Sequence, residues 1–279
     1  MWTAEQREKY KDDGRRYPSD LTDAEWATIQ PVLSCYGTLT AELREMVNAC
    51  LYLNKTGCGW RYLPKDFGSW NTVRTWHDRF QADGVWASIA GLLTRAVRQK
   101  SGRPAEPATA ILDSQSVVSG PQKGRRGVDG NKRVKGIKRH VLTCSLGFVL
   151  GVLVTAANVH DTAAAGPLLD RVAQDGWRLE RVKVDGIYTG ARMAAAAERQ
   201  GVDVQVSTRA PDGSGFTPLP LRWRIEATFG THTNHYRRLT RNLEQSDAAA
   251  ENAVEIANFR RVLRAYTRDE HSIDSSNRL

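Results

Sequence analysis

The stretch Thr109–Val118, TAILDSQSVV, decides how this chain is read. Its apolar run Ala110-Ile111-Leu112 follows the turn formers Gly102, Pro104 and Pro107, which predicts a short buried strand over 109–113. The strand ends in Asp113 and then turns polar, Ser114-Gln115-Ser116. A carboxylate at the end of a buried strand is costly unless backbone donors, a basic side chain or a divalent cation compensates it. The pattern recurs at Arg181-Val182-Lys183-Val184-Asp185-Gly186, with the two aspartates 72 positions apart. If the two strands lie side by side and parallel, both carboxylates meet at one edge of the sheet. There they repel unless a cation sits between them.

The 279 residues suffice for one large or two modest domains. A hydrophobic content of 41% and a charged content of 25% are those of a globular protein, and no apolar run is long enough to span a bilayer. No membrane partner is expected. The charged start, MWTAEQREKYKDDGRRYP, lacks the apolar core of a secretory signal, so a cytosolic protein is the default expectation. The four cysteines form no CxxC pair, which argues against a zinc finger and a redox dithiol. The net charge is +9, and most of the surplus lies in 121–140, where Lys123, Arg125, Arg126, Lys132, Arg133, Lys135, Lys138 and Arg139 face one acid, Asp129. Such a concentration reads either as a solvated loop or as a seat for a polyanion such as nucleic acid.

Upstream of the linker 99–108 the pattern is helical. Thr22-Asp23-Ala24-Glu25 is a capping box ahead of Trp26, Ile29 and Leu33. Helices are predicted over 40–55, 70–82 and 85–98. The pair 40–55 and 70–82 resembles a helix-turn-helix variant with Asn71, Arg74 and Arg79 facing a groove, although the connector is long and a plain bundle is the simpler reading. Trp60, Tyr62, Trp70 and Trp76 read as core rather than as base stackers. Downstream the pattern is α/β: a basic loop 121–137, a hairpin of 139–146 and 148–156 split by Gly147, and a helix 162–175 with Asp161 as its N-cap rather than a ligand. A strand 182–185, a helix 191–200, a strand 202–207, a loop 208–220 and helices 221–238 and 247–267 follow. In helix 221–238, Ile225 and Phe229 face inward beside Glu226.

Asp113, Asp185 and Glu226 form a set of hard oxygen ligands, suited to Mg²⁺ or Mn²⁺ rather than zinc. Two such ions activate water or a 3′-hydroxyl and stabilise the leaving oxygen, which makes phosphodiester cleavage and transfer the expected chemistry. Taken singly, a strand-end Asp is a turn former or cap far more often than a ligand, and Glu226 reads equally as an exposed charge with Arg222 one turn before it to pair with.

The segments ILDSQSV (111–117), DGNKRVKGIKRHVL (129–142), LGFVLGVLVTAANVHD (146–161), VDGIY (184–188) and RWRIEATF (222–229) resemble the DDE transposases of the insertion-sequence-five family. So do YPSDLTDAEW (17–26), NACLYLNKTGCGWRYLPKDF (48–67) and Tyr236-Arg237-Arg238-Leu239. The resemblance implies an α/β, ribonuclease-H-like mixed sheet with flanking helices over 101–270. It implies an all-helical DNA-binding domain over 1–100 before it, and a polar tail 271–279 remains. Asp113, Asp185 and Glu226 become the catalytic and metal-binding acids, holding two Mg²⁺ or Mn²⁺ ions. The partners implied are double-stranded DNA, as element ends and target, and a second copy of the chain in a homodimer. Lys132, Arg133, Lys135, Lys138, Arg139, Arg222, Arg237, Arg238 and Arg74 are the expected DNA contacts. The chain departs from the family pattern at Ala227, at Gly186-Ile187-Tyr188, at Cys144 and at Gly68-Ser69, while the three acids are intact. The expected activity is cleavage at the ends of an insertion sequence and transfer of the 3′-ends. A DNA-binding regulator with impaired acids and a nuclease of the same fold are the rival readings.

Overall fold

The computed structural model describes residues 3, 15–37, 40–188, 190–207 and 222–268. The expected loop 208–220, the tail 271–279 and most of the first 14 residues lie outside them. Among the described residues, four helices come first: α1 (Asp23–Leu33), α2 (Thr40–Thr56), α3 (Trp70–Ala82) and α4 (Val85–Lys100). The capping box is present, with Thr22 Oγ1 accepting from Glu25 N and Glu25 Oε2 accepting from Thr22 N. Two 3₁₀ turns, Trp60–Tyr62 and Lys65–Phe67, fill the connector between α2 and α3. Trp60, Trp70 and Trp76 pack against the core as the sequence predicts, whereas Tyr62 is 84% exposed.

The remaining elements are β1 (Thr109–Val118), β2 (Gly127–Asp129), β3 (Val134–Cys144), β4 (Val149–Ala156), α5 (Asp161–Gln174), β5 (Arg181–Val184), α6 (Ala191–Gln200), β6 (Asp203–Val206), α7 (Arg222–His235), the short α8 (Arg237–Thr240) and α9 (Asp247–Thr267). Strand order in the sheet is β2-β3-β1-β5-β6, with β4 also on β3. Strands β1, β3 and β4 form an antiparallel meander, and β5 and β6 run parallel to β1 on its other side. With α5 leading into β5 and α6 into β6, this is the ribonuclease-H-like topology.

Four elements differ from the expectation. β1 continues to Val118 because Ser114 and Ser116 find partners on β3, opposite His140 and Lys138. The basic loop is largely an arm: β2 pairs with the start of β3 through Gly127↔Gly136 and Asp129↔Val134. The Asp129 carboxylate accepts from the backbone N–H groups of Asn131 and Lys132, which fixes the turn, and Arg133 takes a left-handed φ of 54° at its end. The helix expected over 221–238 stops at His235, where Tyr236 goes extended and drops its ring into the core. Asp161 is the first residue of α5 and not its cap; His160 Nδ1 accepts from Thr162 N instead.

Period-two alternation gives the sheet two faces. On one, Ala110, Leu112, Leu142, Val182 and Val184 pack with Leu168, Leu169 and Val172 of α5. Gly151 permits that approach, since a Cβ there would collide with Val172. On the other face Ile111, Val141 and Val152 meet Ile225 and Phe229 of α7 and Val254 and Ala257 of α9. α9 is buried on most sides and joins the sheet to the N-terminal helices. Phe259 lies 5.1 Å from Trp86 between ring centroids, Asn54 Nδ2 donates to Ala253 O, and Arg260 pairs with buried Glu25 at 2.6 Å. One apolar core therefore runs from Leu21 to Leu263. Truncating Phe259 to alanine is expected to lower stability by about 3–5 kcal/mol. In urea, tryptophan fluorescence, which reports mostly on the helical region, and far-UV circular dichroism should shift together; separate transitions would show that the two regions unfold independently.

Candidate active site

β1 and β5 pair in parallel through Thr109↔Arg181, Ala110↔Val182 and Ile111↔Lys183, an offset of 72 residues. The same offset carries Asp113 to the level of Asp185, on strands about 4.8 Å apart. Alternation points both toward the face that carries Ile111 and therefore α7. Both are half-buried. Asp113 Oδ1 accepts from Ser114 N at 2.7 Å, and Asp185 Oδ1 accepts from Ile187 N at 3.0 Å in the 3₁₀ turn Gly186–Tyr188. α7 is seated on this face by Ile225, which is fully buried, and by Thr228 Oγ1 donating to Gly147 O at 2.8 Å. Glu226 follows Ile225 on the exposed side of that helix. The register thus sets the two aspartates at one level, with Glu226 on the helix that covers the same side of the sheet. Among the described residues, no three His, Cys, Asp or Glu side chains close into a metal-binding group.

Directly behind Asp113, on the α5 face, lies a polar network that the sequence did not announce. Lys138 is 7% exposed and its ammonium meets Asp161 Oδ1 at 2.7 Å, Val159 O at 2.9 Å and Asp129 Oδ2 at 3.8 Å. Ser114 Oγ donates to Asp161 Oδ2 at 2.9 Å and Ser116 Oγ to Asp129 Oδ2 at 2.5 Å. The Asp161 carboxylate is turned inward to Lys138, which is why it is not spent on capping α5. Tyr188 is buried in the cluster on the α5 face. Burial first, then the negative charge of Asp161 and Asp113 and, last, of Asp185, pushes its phenol well above the ordinary range, so that it stays protonated. The signal for Tyr188 in the sequence is its position three residues after Asp185.

The basic residues divide in two. Lys132, Lys135 and Arg133 are exposed on the β2–β3 arm, Arg237 is exposed on α8, and Arg74 is exposed on α3 beside Asp78 and the Trp60 ring. The arginine that opens α7, Arg222, has a side chain outside the described residues. Three expected DNA contacts are buried instead, which corrects the reading from charge alone. Lys138 is held in the network above. Arg139 is 3% exposed, donates to Leu239 O at 2.8 Å, and is drawn down to about 10 by burial, with Glu244 opposing the shift. Arg238 pairs with Glu244 at 2.6 Å beneath Trp60.

This is a ribonuclease-H-like domain with one aspartate inside β1 and another just past the end of the parallel strand β5. Residues 104–257, more than half of the chain, match the family described as transposase DDE domain, and residues 21–90 match the family described as putative transposase of IS4/5 family. The chain belongs to the DDE transposases of the IS4/5 kind, enzymes that cut DNA and join it to a new site. It is 28% identical over 166 residues to the putative transposase for insertion sequence element IS402 of Burkholderia cepacia, covering 56% of this chain and 77% of that one. Among solved structures it is similar to a pre-cleavage Mos1 transpososome, with 11% identity, a TM-score of 0.31 and coverage of 84% of this chain and 79% of that one. The Mos1 strand transfer complex gives 13% identity, a TM-score of 0.30 and coverage of 94% and 82%. Those TM-scores carry no weight; the strand order and the family matches do. Among the described residues, no helix is long and apolar enough to cross a membrane.

Next to Lys138 on β3, His140 is fully enclosed, its Nε2 3.0 Å from Thr155 Oγ1. Burial, with Asp161 opposing and Lys138 adding to it, takes its imidazole down to about 4. In the unfolded chain it protonates near 6.5, so as pH falls the unfolded state binds the proton first. The stability due to neutral His140 is complete above pH 6.5 and is lost between about 6.5 and 4. The loss amounts to roughly 3 kcal/mol. Burial lowers His77 and His232 in the same direction. The melting temperature should therefore fall from pH 7.5 to pH 5, and an NMR titration should show the His140 ring uncharged at pH 5.5. A normal titration near 6.5 would contradict this account.

Proposed function

We propose that Asp113 and Asp185 hold divalent cations with Glu226 as the third ligand, and that this site cuts the ends of an insertion sequence and joins their 3′-ends to target DNA. The observation that supports it most is the 72-residue register, which sets two carboxylates at one level on adjacent parallel strands. Two anions so placed favour a cation between them, and their hard oxygens suit Mg²⁺ or Mn²⁺, in keeping with two ions. Bound ions of this kind supply polarisation of the attacking water or hydroxyl and neutralisation of the leaving oxygen.

In this reading the chain's own residues do the positioning. The Lys138–Asp161–Ser114 network keeps β1 straight behind Asp113, so its carboxylate stays aimed at the α7 face. The Ile187 N–H orients Asp185, and the protonated Tyr188 closes the site from below. Lys132, Arg133 and Lys135 on the arm, with Arg237, Arg222 and Arg74, contact phosphates. Residues 1–100 recognise element ends and 101–270 cut, within one continuous core. Because two ends are processed together, the working unit is a homodimer.

Asp113→Asn, Asp185→Asn and Glu226→Gln should each lower Mg²⁺-dependent nicking of a labelled end fragment by roughly 10³-fold, the equivalent of about 4 kcal/mol of transition-state stabilisation. Retardation of the same fragment in a gel should be retained. A variant that cuts at the wild-type rate removes that residue from the site. If the wild-type protein retards the fragment and leaves it whole, the regulator reading replaces this one. Cutting without joining to an added plasmid would favour the nuclease.

A further inference from the structure

A second basic site lies away from the paired aspartates and the arm. A cavity of about 320 Å³ opens between the end of α2, residues Pro18 and Ser19, the outer side of α7 and the last turns of α9. Lys55, His235, Arg260, Arg261, Arg264 and Arg268 line it, and none of its described lining residues is acidic. Arg260 and Arg264, four residues apart, share one stripe of α9, an arrangement of like charges that weakens a helix, and Arg268 follows as its extended C-cap. One acid reaches the group from outside the cavity, Glu25 on Arg260. Arg261 and Arg264 donate to neutral carbonyls, Gly147 O at 3.1 Å and Pro18 O at 3.5 Å.

The cations feel one another. Burial first, then Arg264, Arg260 and Arg237, pull the Lys55 ammonium below its ordinary value; burial and then Arg260 do the same to Arg264. Crowding cations into a partly desolvated cavity without acids costs stability unless an anion joins them. Guanidinium forks are shaped for the oxygens of a phosphate.

We propose that this cavity is an anion site that takes a backbone phosphate of duplex DNA. The chemistry of the anion comes from the cavity, and its identity as DNA rests on the transposase reading. Thr231 and His235 on the cavity wall lie five and nine residues beyond Glu226, about 8 and 14 Å along the axis of α7. At about 100° per residue they stand roughly 140° and 180° round the helix from Glu226, so a duplex segment seated in the cavity passes on the side of α7 away from that carboxylate. It also touches α2 through Lys55, tying the helical region and the catalytic sheet to one ligand.

The test is the salt dependence of DNA binding, read by fluorescence anisotropy on a labelled element-end duplex. In the double variant Arg264→Gln, Arg268→Gln the slope of log K against log salt should become shallower by about 1 to 2. The Arg264→Lys, Arg268→Lys protein, which keeps the charges, should restore most of it. Arg199→Gln, whose partner Asp170 lies on α5, is the surface control and should leave the slope unchanged. Lys55→Gln alone should give a shallower slope as well, and it stands in if the double variant does not fold. Wild-type nicking is measured in parallel. A wild type that binds and cuts, beside variants with an unchanged slope, overturns this site and leaves the transposase reading standing. A wild type that neither binds nor cuts removes both. If inorganic phosphate raises the melting temperature at fixed ionic strength and the DNA slope is unaffected, the cavity takes free anions and the DNA assignment fails.

Discussion

The parallel pairing of β1 with β5 is the constraint on which the site depends. A slip of one residue would turn Asp113 or Asp185 to the opposite face, because side chains alternate with a period of two. The register is held from both sides. Backbone ladders fix β1 between β3 and β5, and the buried Val182 and Val184 allow one orientation of β5 against the α5 layer. The level of the two aspartates is thus set by the whole sheet and not by a local turn.

The same alternation explains which basic residues the charge pattern misplaced. Run together, Lys132 to Arg139 look like one solvated loop. In the fold, the segment crosses from an exposed hairpin turn into β3, a strand with neighbours on both edges and layers on both faces. Buried strands of that kind carry no solvent-facing side. Lys132, Arg133 and Lys135 fall before the crossing. Lys138 and Arg139 fall after it, one on each face, and each needs a specific acceptor: Asp161 and Val159 O for the first, Leu239 O for the second. Net charge counts them alike, although only the first three present cations to solvent.

Much of the architecture was legible because it is periodic. The capping box, the helices to Lys100, the run Ala110–Leu112 and the recurrence at Asp185 all follow from local pattern, and the resemblance carried by VDGIY and RWRIEATF named the topology. What was not legible depends on partners far along the chain. Ser114 and Ser116 read as the end of a strand until β3 supplies His140 and Lys138. Asp161 reads as a cap until Lys138 turns it inward. Tyr236 reads as one more helical residue until the cluster around Ile225 and Val254 gives its ring a place.

The three acids are not held alike, and this bears on how the site assembles. Asp113 and Asp185 are fixed by main-chain hydrogen bonds, which resist displacement. Glu226 rides on α7, whose seating depends on apolar contacts of Ile225 and Phe229 worth ~1.5–3 kcal/mol per fully buried side chain and on the bond of Thr228 to Gly147 O. A helix seated mainly by non-directional contacts shifts more readily than a strand in a ladder. The aspartate pair is therefore preorganised by the fold. In the proposed site, completing the set would fall to α7, the same helix that walls the arginine cavity, so DNA held there would act on the element that carries Glu226.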